Sequence, residues 1–461
     1  MECPVARSAR LSPAAPALIF RGETIDYRAY DALVRRWQAR LAAGRRGGNL
    51  ERVWAIGTST PDTLALVHAA ARARVPVALL HPRLAAGERD ALIARLGAAI
   101  SAGALPDAVP EAPANGPVRP EGDRGALPAE APLEPGDVQL LLFTSGTTGV
   151  PKAAQLTAGA LQASAAAANE VLAIDSTSRV LCCMPLSHVG GVALALRAAL
   201  AGAALELHER FEAIAVARAL TAGATHLSLV ANTLARLLDE PGPRFTSVRA
   251  VQAGGGPVPA HLLERARARG LPVLHTYGMT ETCSGVTCER PADADGLTAG
   301  PPLPGAELRV EAGEILVRGP TVMRGYLGES ALSPGAWLHT GDLGELDPRG
   351  RLIVHARRTD LILSGGENVY PAEIEAALLL HPDVVEAAVV PMPDPRWGQR
   401  PCAFVAVVKQ LDGPALAAFL RERIAAFKVP GEYRALRALP RTAAGKVDRA
   451  ALARRALTRE A

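Results

Sequence analysis

The sequence predicts an α/β protein: a large N-terminal domain of parallel-type sheets with helices and a small β-barrel, followed by a small α+β C-terminal domain. Three observations predict it. Short apolar strands alternate with amphipathic helices from Val53 to His275, the rhythm of a mostly parallel sheet with helices on its faces. Near Gly300 the texture changes to short alternating segments separated by turns such as Asp347-Pro348-Arg349-Gly350, which suggests a small antiparallel unit. From Asp360 a compact mixture of helices and strands follows. A chain of 461 residues is too long for one ordinary core, and the boundary is expected at Arg358-Thr359, giving domains 1–358 and 359–461.

Taken in order, a helix is expected over Ala29–Ala43, a strand over Val53–Ile56 and a helix over Asp62–Ala71. Residues 101–135, rich in Ala, Pro, Gly and Glu without a period, read as a connection. Asp137–Phe143 is a buried strand running into a glycine loop. Strands follow at Arg179–Met184, Ala204–Leu207, His226–Val230, Val248–Gln252 and Pro272–His275. Helices separate them at Val192–Ala201, Ala213–Ala222, Thr233–Asp239 and Ala260–Arg269. The antiparallel unit takes Glu307–Val310, Gly313–Val317, Leu343–Leu346 and Arg351–His355. The last domain takes helices Ala372–Leu380 and Leu416–Ala426 and strands Val384–Pro391 and Ala403–Val408.

Composition narrows the function. Hydrophobic content of 49% and charged content of 21% suit a globular protein with a sizeable core. No apolar run reaches the length of a membrane span or a signal peptide, so a cytoplasmic protein without stable membrane insertion is expected. A net charge of +4 spread over helices, with no basic–aromatic block, argues against nucleic acid as a partner. The six cysteines show no paired metal-ligand spacing and read as buried thiols. Only four of the cations are lysines (Lys152, Lys409, Lys428, Lys446), against 46 arginines. Lysine is therefore kept where a compact, mobile ammonium is needed, and Lys152 and Lys446 both close glycine-containing loops.

Four motifs carry the chemistry. In Thr144-Ser145-Gly146-Thr147-Thr148-Gly149-Val150-Pro151-Lys152, glycines admit a close ligand, and N–H and hydroxyl groups wrap phosphate oxygens. The spacing is not that of a Walker loop, because Pro151 precedes Lys152 and Ala153 follows it. His275 to Thr282 offers Thr276, Tyr277, Gly278, Thr280 and Glu281, a set suited to a base, a phosphate and Mg²⁺ through Glu281. Just upstream, Gly254, Gly255 and Gly256 strip side chains from a strand end that suits adenine or an acyl group. Asp342, in His339-Thr340-Gly341-Asp342, is a bidentate acceptor for ribose hydroxyls, with Arg357 as a matching donor. Finally, Gly365 and Gly366 precede a helix with Pro371 in its first turn, and Lys446 sits on a late loop that can swing into a cleft.

In this order the motifs resemble the acyl-adenylate-forming (AMP-binding) superfamily of acyl-CoA synthetases, luciferases and peptide-synthetase adenylation domains, from about Asp26 to Arg449. Within it, MPLSHVGGV, GGGPVPAHLLERARARGLPVLHTYGMTET, WLHTGDLGELDPRGRLIVHARRTDLILSGGENVYPAEIE and PDPRWGQRP are most similar to the 2-succinylbenzoate–CoA ligases of menaquinone biosynthesis. The resemblance implies two half-reactions at one site, with ATP and Mg²⁺ as cofactors and coenzyme A as co-substrate. A carboxylate attacks the α-phosphate to give an acyl-adenylate; a mobile C-terminal cap then rotates about Thr359 and a thiol attacks the anhydride. By the same resemblance Lys446 holds the attacking carboxylate and the α-phosphate. Thr144, Ser145, Thr147, Thr148 and Lys152 manage pyrophosphate, Glu281 binds magnesium, Asp342 and Arg357 hold ribose, and Tyr277 packs on adenine. Gly365 and Gly366 come near the thiol's path after rotation. His188, Gly190, Gly191, Asn232 and Gly255 are the acid-pocket candidates, with no partner identified for a second carboxylate. Many relatives carry an acidic or basic residue where this chain has Thr359. A homodimer is the expected assembly. The alternatives are a CoA ligase for another aromatic, dicarboxylic or medium-chain acid, and an adenylation enzyme that loads a carrier protein.

Overall fold

The computed structural model describes residues 1–46, 50–105, 132–144, 151–256, 258–357, 360–364, 367–395, 397–409, 412–442 and 446–458. For Arg46, Ala356, Arg357, Glu367 and Asn368 it describes the backbone alone. The chain opens with a helix at Pro4–Leu11 and a hairpin of β1 (Pro16–Phe20) and β2 (Glu23–Asp26). Next come β3 (Arg52–Ile56), β4 (Val77–Leu80), β5 (Ala99–Ser101), β6 (Val138–Thr144) and β7 (Lys152–Thr157). β8 (Arg179–Cys182), β9 (Ala204–Leu207), β10 (His226–Leu229), β11 (Ala250–Ala253), β12 (Val273–Met279) and β13 (Ser284–Cys288) follow. β14 (Glu307–Glu311), β15 (Glu314–Arg318), β16 (Gly325–Tyr326), β17 (Leu338–Leu346) and β18 (Leu352–Arg357) come before the last unit. That unit holds β19 (Ile362–Ser364), β20 (Glu367–Val369), β21 (Val384–Asp394), β22 (Gly398–Val407) and β23 (Glu432–Ala435).

Two sheets make the body of the molecule. One has eight strands in the order β13-β12-β11-β10-β8-β9-β1-β2, parallel from β12 to β1 and closed at each edge by an antiparallel strand. The other has six, β16-β7-β6-β4-β3-β5, parallel from β6 to β5. Their central strands are covered on both faces: β4 (VALL) is an unbroken apolar run, and β11 (AVQA), apolar but for Gln252, is likewise buried at every position. Helices Ala158–Leu172 and Val189–Ala201 share one apolar core with both sheets. Small residues on them (Ala165, Ala168, Ala195, Ala198) belong to that core, and their size permits close packing of the layers. Thr157 caps the first of these helices by accepting the Ala160 N–H, the ordinary device for an orphaned first-turn donor.

The small β unit is an antiparallel sheet in the order β14-β15-β17-β18. Among the described residues its first and last strands do not pair with each other, so where a barrel was expected they form an open sheet. The C-terminal sheet, β20-β19-β22-β21 with β23 beside β22, separates two apolar clusters. Along β22, Ala403 and Val405 enter one cluster while Cys402 and Phe404 enter the other, the period of two that a two-sided strand requires. All six cysteines are free and buried. Among the described residues no helix is long and apolar enough to cross a membrane. Most of the stretch read as a connection lies outside the described residues, as does the hinge candidate Thr359.

Candidate active site

The parallel strands β8, β10, β11 and β12 release their chemistry-bearing residues from one edge, at their carboxyl ends, where open α/β sheets bind ligands. His188, Gly190 and Gly191 follow β8, Asn232 follows β10, and Gly254, Gly255 and Gly256 follow β11. Thr276, Tyr277 and Gly278, expected just beyond a strand, are within β12, which runs on because β13 pairs with it. Gly278 is required there: a Cβ would overlap the Ser284 carbonyl oxygen. The chain then turns sharply through the short 3₁₀ segment Thr280–Thr282, with Cys283 and Ser284 both at positive φ (54° and 108°). Such backbone strain is held only where the surroundings enforce it.

That turn aims Glu281 at the mouth of the glycine loop. Register pairs Thr144 with Lys152 across β6 and β7, bringing the loop's ends together. Ser145, Gly146, Thr147, Thr148 and Gly149 lie outside the described residues. Glu281 is 8% exposed and accepts a hydrogen bond of 2.8 Å from the Tyr326 hydroxyl. Thr144 is a hydrogen-bond neighbour of the same hydroxyl, and Lys152 Nζ stands 4.9 Å from the Tyr326 ring centroid while pairing with Glu329 at 2.9 Å. Burial and then the Glu281 charge push the Tyr326 pKa upward, so the phenol stays a donor at neutral pH. Sequence reasoning missed Tyr326 and Glu329. The short Arg324-Gly325-Tyr326 segment shows no periodicity, and only pairing of β16 with β7 brings it to the site.

On the nucleoside side, Tyr277 donates a 2.8 Å hydrogen bond to Asp342 Oδ2. Its ring belongs to the apolar cluster with Val286, Ile315, Val317 and Leu352, and its hydroxyl is bonded to the Asp342 carboxylate. That carboxylate is 6% exposed. Arg357 lies opposite Asp342 in the β17–β18 register; its side chain, like Gly365 and Gly366, lies outside the described residues.

Lys446 arrives from the far end of the chain. Its carbonyl accepts the Thr442 N–H at 2.8 Å, a bridge joins Arg441 to Val447, and Asp448 caps the helix Arg449–Leu457. The loop base is tied to β21 by Glu386, which takes hydrogen bonds from Leu439 N–H and Arg441. At Gly255, whose φ is +78°, a Cβ would stand 3.6 Å from Lys446 Cε and 3.9 Å from Nζ. The ammonium also acts on His188, whose pKa is pushed down to about 4 by burial first, then by His81, Lys446 and Arg83. Two loops separated by almost two hundred residues thus meet at one strand end.

Arg197, buried between helix Val189–Ala201 and β11, was also missed. It is 2% exposed on helix Val189–Ala201, donates to Gln252 Oε1 of β11 and to Ser284 Oγ at 3.4 Å, and leaves Nε buried without a partner among the described residues. Among the described residues no carboxylate pairs with it. Burial lowers its pKa to about 10, which leaves it charged at neutral pH. One signal was available: Arg197 is the sole charged residue in an otherwise apolar helix. A buried cation without a counter-ion is costly.

Comparison with known proteins fits this geometry. The family model described as AMP-binding enzyme matches residues 5–327, and the AMP-binding enzyme C-terminal domain matches residues 373–446. A 2-succinylbenzoate–CoA ligase of Bacillus velezensis is 35% identical over 465 aligned residues, covering 96% of this chain and 95% of its own. The fold is similar to o-succinylbenzoate CoA synthetase (MenE) from Bacillus subtilis in complex with the acyl-adenylate intermediate OSB-AMP, with a TM-score of 0.85, 31% identity and 98% coverage of both chains. At the same identity and coverage the TM-score is 0.68 against a double mutant of that synthetase bound with its product analogue OSB-NCoA.

Proposed function

The chain belongs to the AMP-binding enzyme family, and from that premise we propose that it joins 2-succinylbenzoate to coenzyme A through an acyl-adenylate, at the expense of ATP. The observation that carries this reading is the Lys446 amine beside Gly255 and His188. In the first half-reaction a carboxylate oxygen attacks the α-phosphorus and the bond to pyrophosphate breaks. Lys446 offsets the negative charge gathering on the carboxylate and the α-phosphate, and its position before reaction supplies orientation without reorganisation. Asp342, held by Tyr277, takes the ribose hydroxyls with Arg357. Thr144, Ser145, Thr147, Thr148 and Lys152 receive the departing pyrophosphate. Lys152 leaves its Glu329 partner to do so.

The donor set near Glu281 fits Mg²⁺. Among the described residues no three acidic, His or Cys groups cluster as a ready-made metal cage. A single carboxylate beside a phosphate loop is how this ion is usually held, with phosphate oxygens and water filling its shell. When bound it screens the phosphate charges; Glu281 would hold it, with Tyr326 fixing the carboxylate.

In the second half-reaction the thiol attacks the acyl carbon and AMP leaves. We assign domains 1–358 and 359–461, with the smaller rotating about Thr359 so that Lys446 withdraws and Gly365-Gly366 approaches the thiol. The better match to the acyl-adenylate complex than to the product-analogue complex supports reading the present arrangement as the one for the first step. Arg197 is the partner for the second carboxylate of the acid. The enzyme acts in the cytoplasm as a homodimer, within menaquinone biosynthesis. The test is AMP and pyrophosphate formation with 2-succinylbenzoate, ATP and coenzyme A, against benzoate, malonate and octanoate. Preference for 2-succinylbenzoate by at least tenfold in kcat/KM is expected; turnover of another acid at the same rate or faster overturns the assignment, and light scattering tests the dimer.

A further inference from the structure

Two histidines that follow strands of different sheets meet beside the cleft, each with one buried ring nitrogen unpaired among the described residues. His81 follows β4 and His188 precedes helix Val189–Ala201; their ring centroids lie 5.4 Å apart with planes at 45°. His81 Nδ1 accepts the Arg83 N–H at 3.1 Å, which assigns the proton of the neutral ring to Nε2. Among the described residues that Nε2 is buried with no hydrogen-bond partner, as are Nε2 of His188 and Oγ of the adjacent Ser187. His81 is 9% and Ser187 5% exposed. The cluster is built in: a Cβ on Gly57, at the end of β3, would stand 2.9 Å from the Ser187 nitrogen. Unpaired buried polar atoms are costly, and three together point to a polar group that arrives during the reaction.

The first half-reaction asks for no proton acceptor, because the acid enters ionised and pyrophosphate leaves as an anion. The second does, because a thiol attacks as its thiolate. The other acids of the cleft are engaged, Glu281 by Tyr326 and Asp342 by Tyr277. Resting on the ligase reading above, we propose that His188 accepts the thiol proton, that His81 is set against it as the N–H donor to sulfur, and that the pair works once Lys446 has withdrawn. The S–H proton passes to His188 Nε2 and the sulfur pair forms the bond to the acyl carbon. The acyl C–O bond breaks with its electrons leaving on the AMP phosphate, and the imidazolium later returns its proton to solvent. The charged groups facing the pair are Arg83 and Lys446. Burial and Arg83 also lower the His81 pKa. Burial and then His81 hold the His188 pKa down most, and Lys446 adds to them; departure of the ammonium removes that like charge and raises the basicity of His188. The proton acceptor is thereby timed to the second step.

The test supplies synthetic acyl-adenylate to the full-length enzyme and follows single-turnover transfer to coenzyme A and to a fluorinated thiol that is already ionised at neutral pH. His188→Asn is expected to slow transfer to coenzyme A about 100-fold, in the range of general-base catalysis, and transfer to the acidic thiol less than ~3-fold by the same logic. His81→Gln should show the same pattern with a smaller, roughly tenfold, loss. Equal losses for the two thiols in both variants, or undiminished transfer to coenzyme A, overturn the proposal. Acid-dependent pyrophosphate exchange by the unmodified enzyme is measured alongside. Its absence sinks the ligase reading itself, whereas exchange without the thiol-dependent difference sinks only the role of the pair.

Discussion

Arg197→Met is the perturbation that separates 2-succinylbenzoate from acids with a single carboxylate. The guanidinium is 2% exposed, makes hydrogen bonds only to the neutral groups of Gln252 and Ser284 among the described residues, and keeps its charge at neutral pH. Truncating one side of a desolvated, hydrogen-bonded charge pair costs 2–5 kcal/mol. A central value of about 3 kcal/mol is a fall of roughly 150-fold in kcat/KM for the dicarboxylic acid. The analogue 4-oxo-4-phenylbutanoate lacks the aromatic carboxylate and leaves Arg197 unpaired in the unmodified enzyme. Met has similar length and no charge, so the variant should process this analogue at an equal or higher rate, and folded stability should hold or rise because an uncompensated buried charge is gone. Acid-dependent pyrophosphate release with both acids, together with a thermal melt, reads all three quantities. Equal losses with the two acids would place Arg197 in the framework and remove the argument for a second carboxylate.

Lys446→Ala should slow adenylation by about 3–4 kcal/mol, the worth of an oxyanion-type donor, while sparing thioester formation from supplied acyl-adenylate; equal loss in both half-reactions refutes the role. Tyr326→Phe keeps the ring under Lys152 but removes the donor to Glu281; a hydrogen bond to a charged group is worth about 1.5–3 kcal/mol. The Mg²⁺ concentration for half-maximal rate should rise roughly tenfold or more, and an unchanged requirement excludes positioning of Glu281 by Tyr326. His188 should titrate near the value of about 4 to which its surroundings push it. Removing the Lys446 charge must raise that midpoint in an NMR titration of Lys446→Ala, since a like charge disfavours the imidazolium; a midpoint that stays or falls contradicts the proximity.

Much of this molecule was legible because its signals are local. Ala204–Leu207 and the helix starting at Ala260 follow directly from apolar period and turn residues. His188, Asn232, Gly254, Gly255 and Gly256 follow the carboxyl ends of parallel strands, where open α/β sheets bind ligands. Helix Ala158–Leu172 was illegible for a physical reason: alanine on every side gives no amphipathic stripe, and its partners are equally apolar. β12 was cut short at His275 because Thr276-Tyr277-Gly278 looks like a turn, and only β13, in pairing with it, extends the strand. Tyr326 and His81 become part of the site through tertiary contacts that no window of sequence contains.

The division of labour between lysine and arginine follows from the same physics. In the proposed reaction Lys446 enters a cleft, balances charge on two reacting groups and leaves, which suits a compact, flexible ammonium. In the same proposal Arg197, buried, keeps its charge to meet a second carboxylate. Burial brings its pKa down to about 10, still well above neutral. A lysine in that position starts from an ordinary value about two units lower and is more strongly hydrated in its charged form. The same burial would bring it close to neutrality. Arg197→Lys should therefore act as a pH-dependent variant, with kcat/KM for 2-succinylbenzoate improving as pH is lowered from about 8.5 to 7, an interval over which such a lysine regains its proton and arginine does not change state. The unmodified enzyme supplies the control profile, and a constant ratio between the two profiles across that interval would mean that the charge at this position does not meet the substrate.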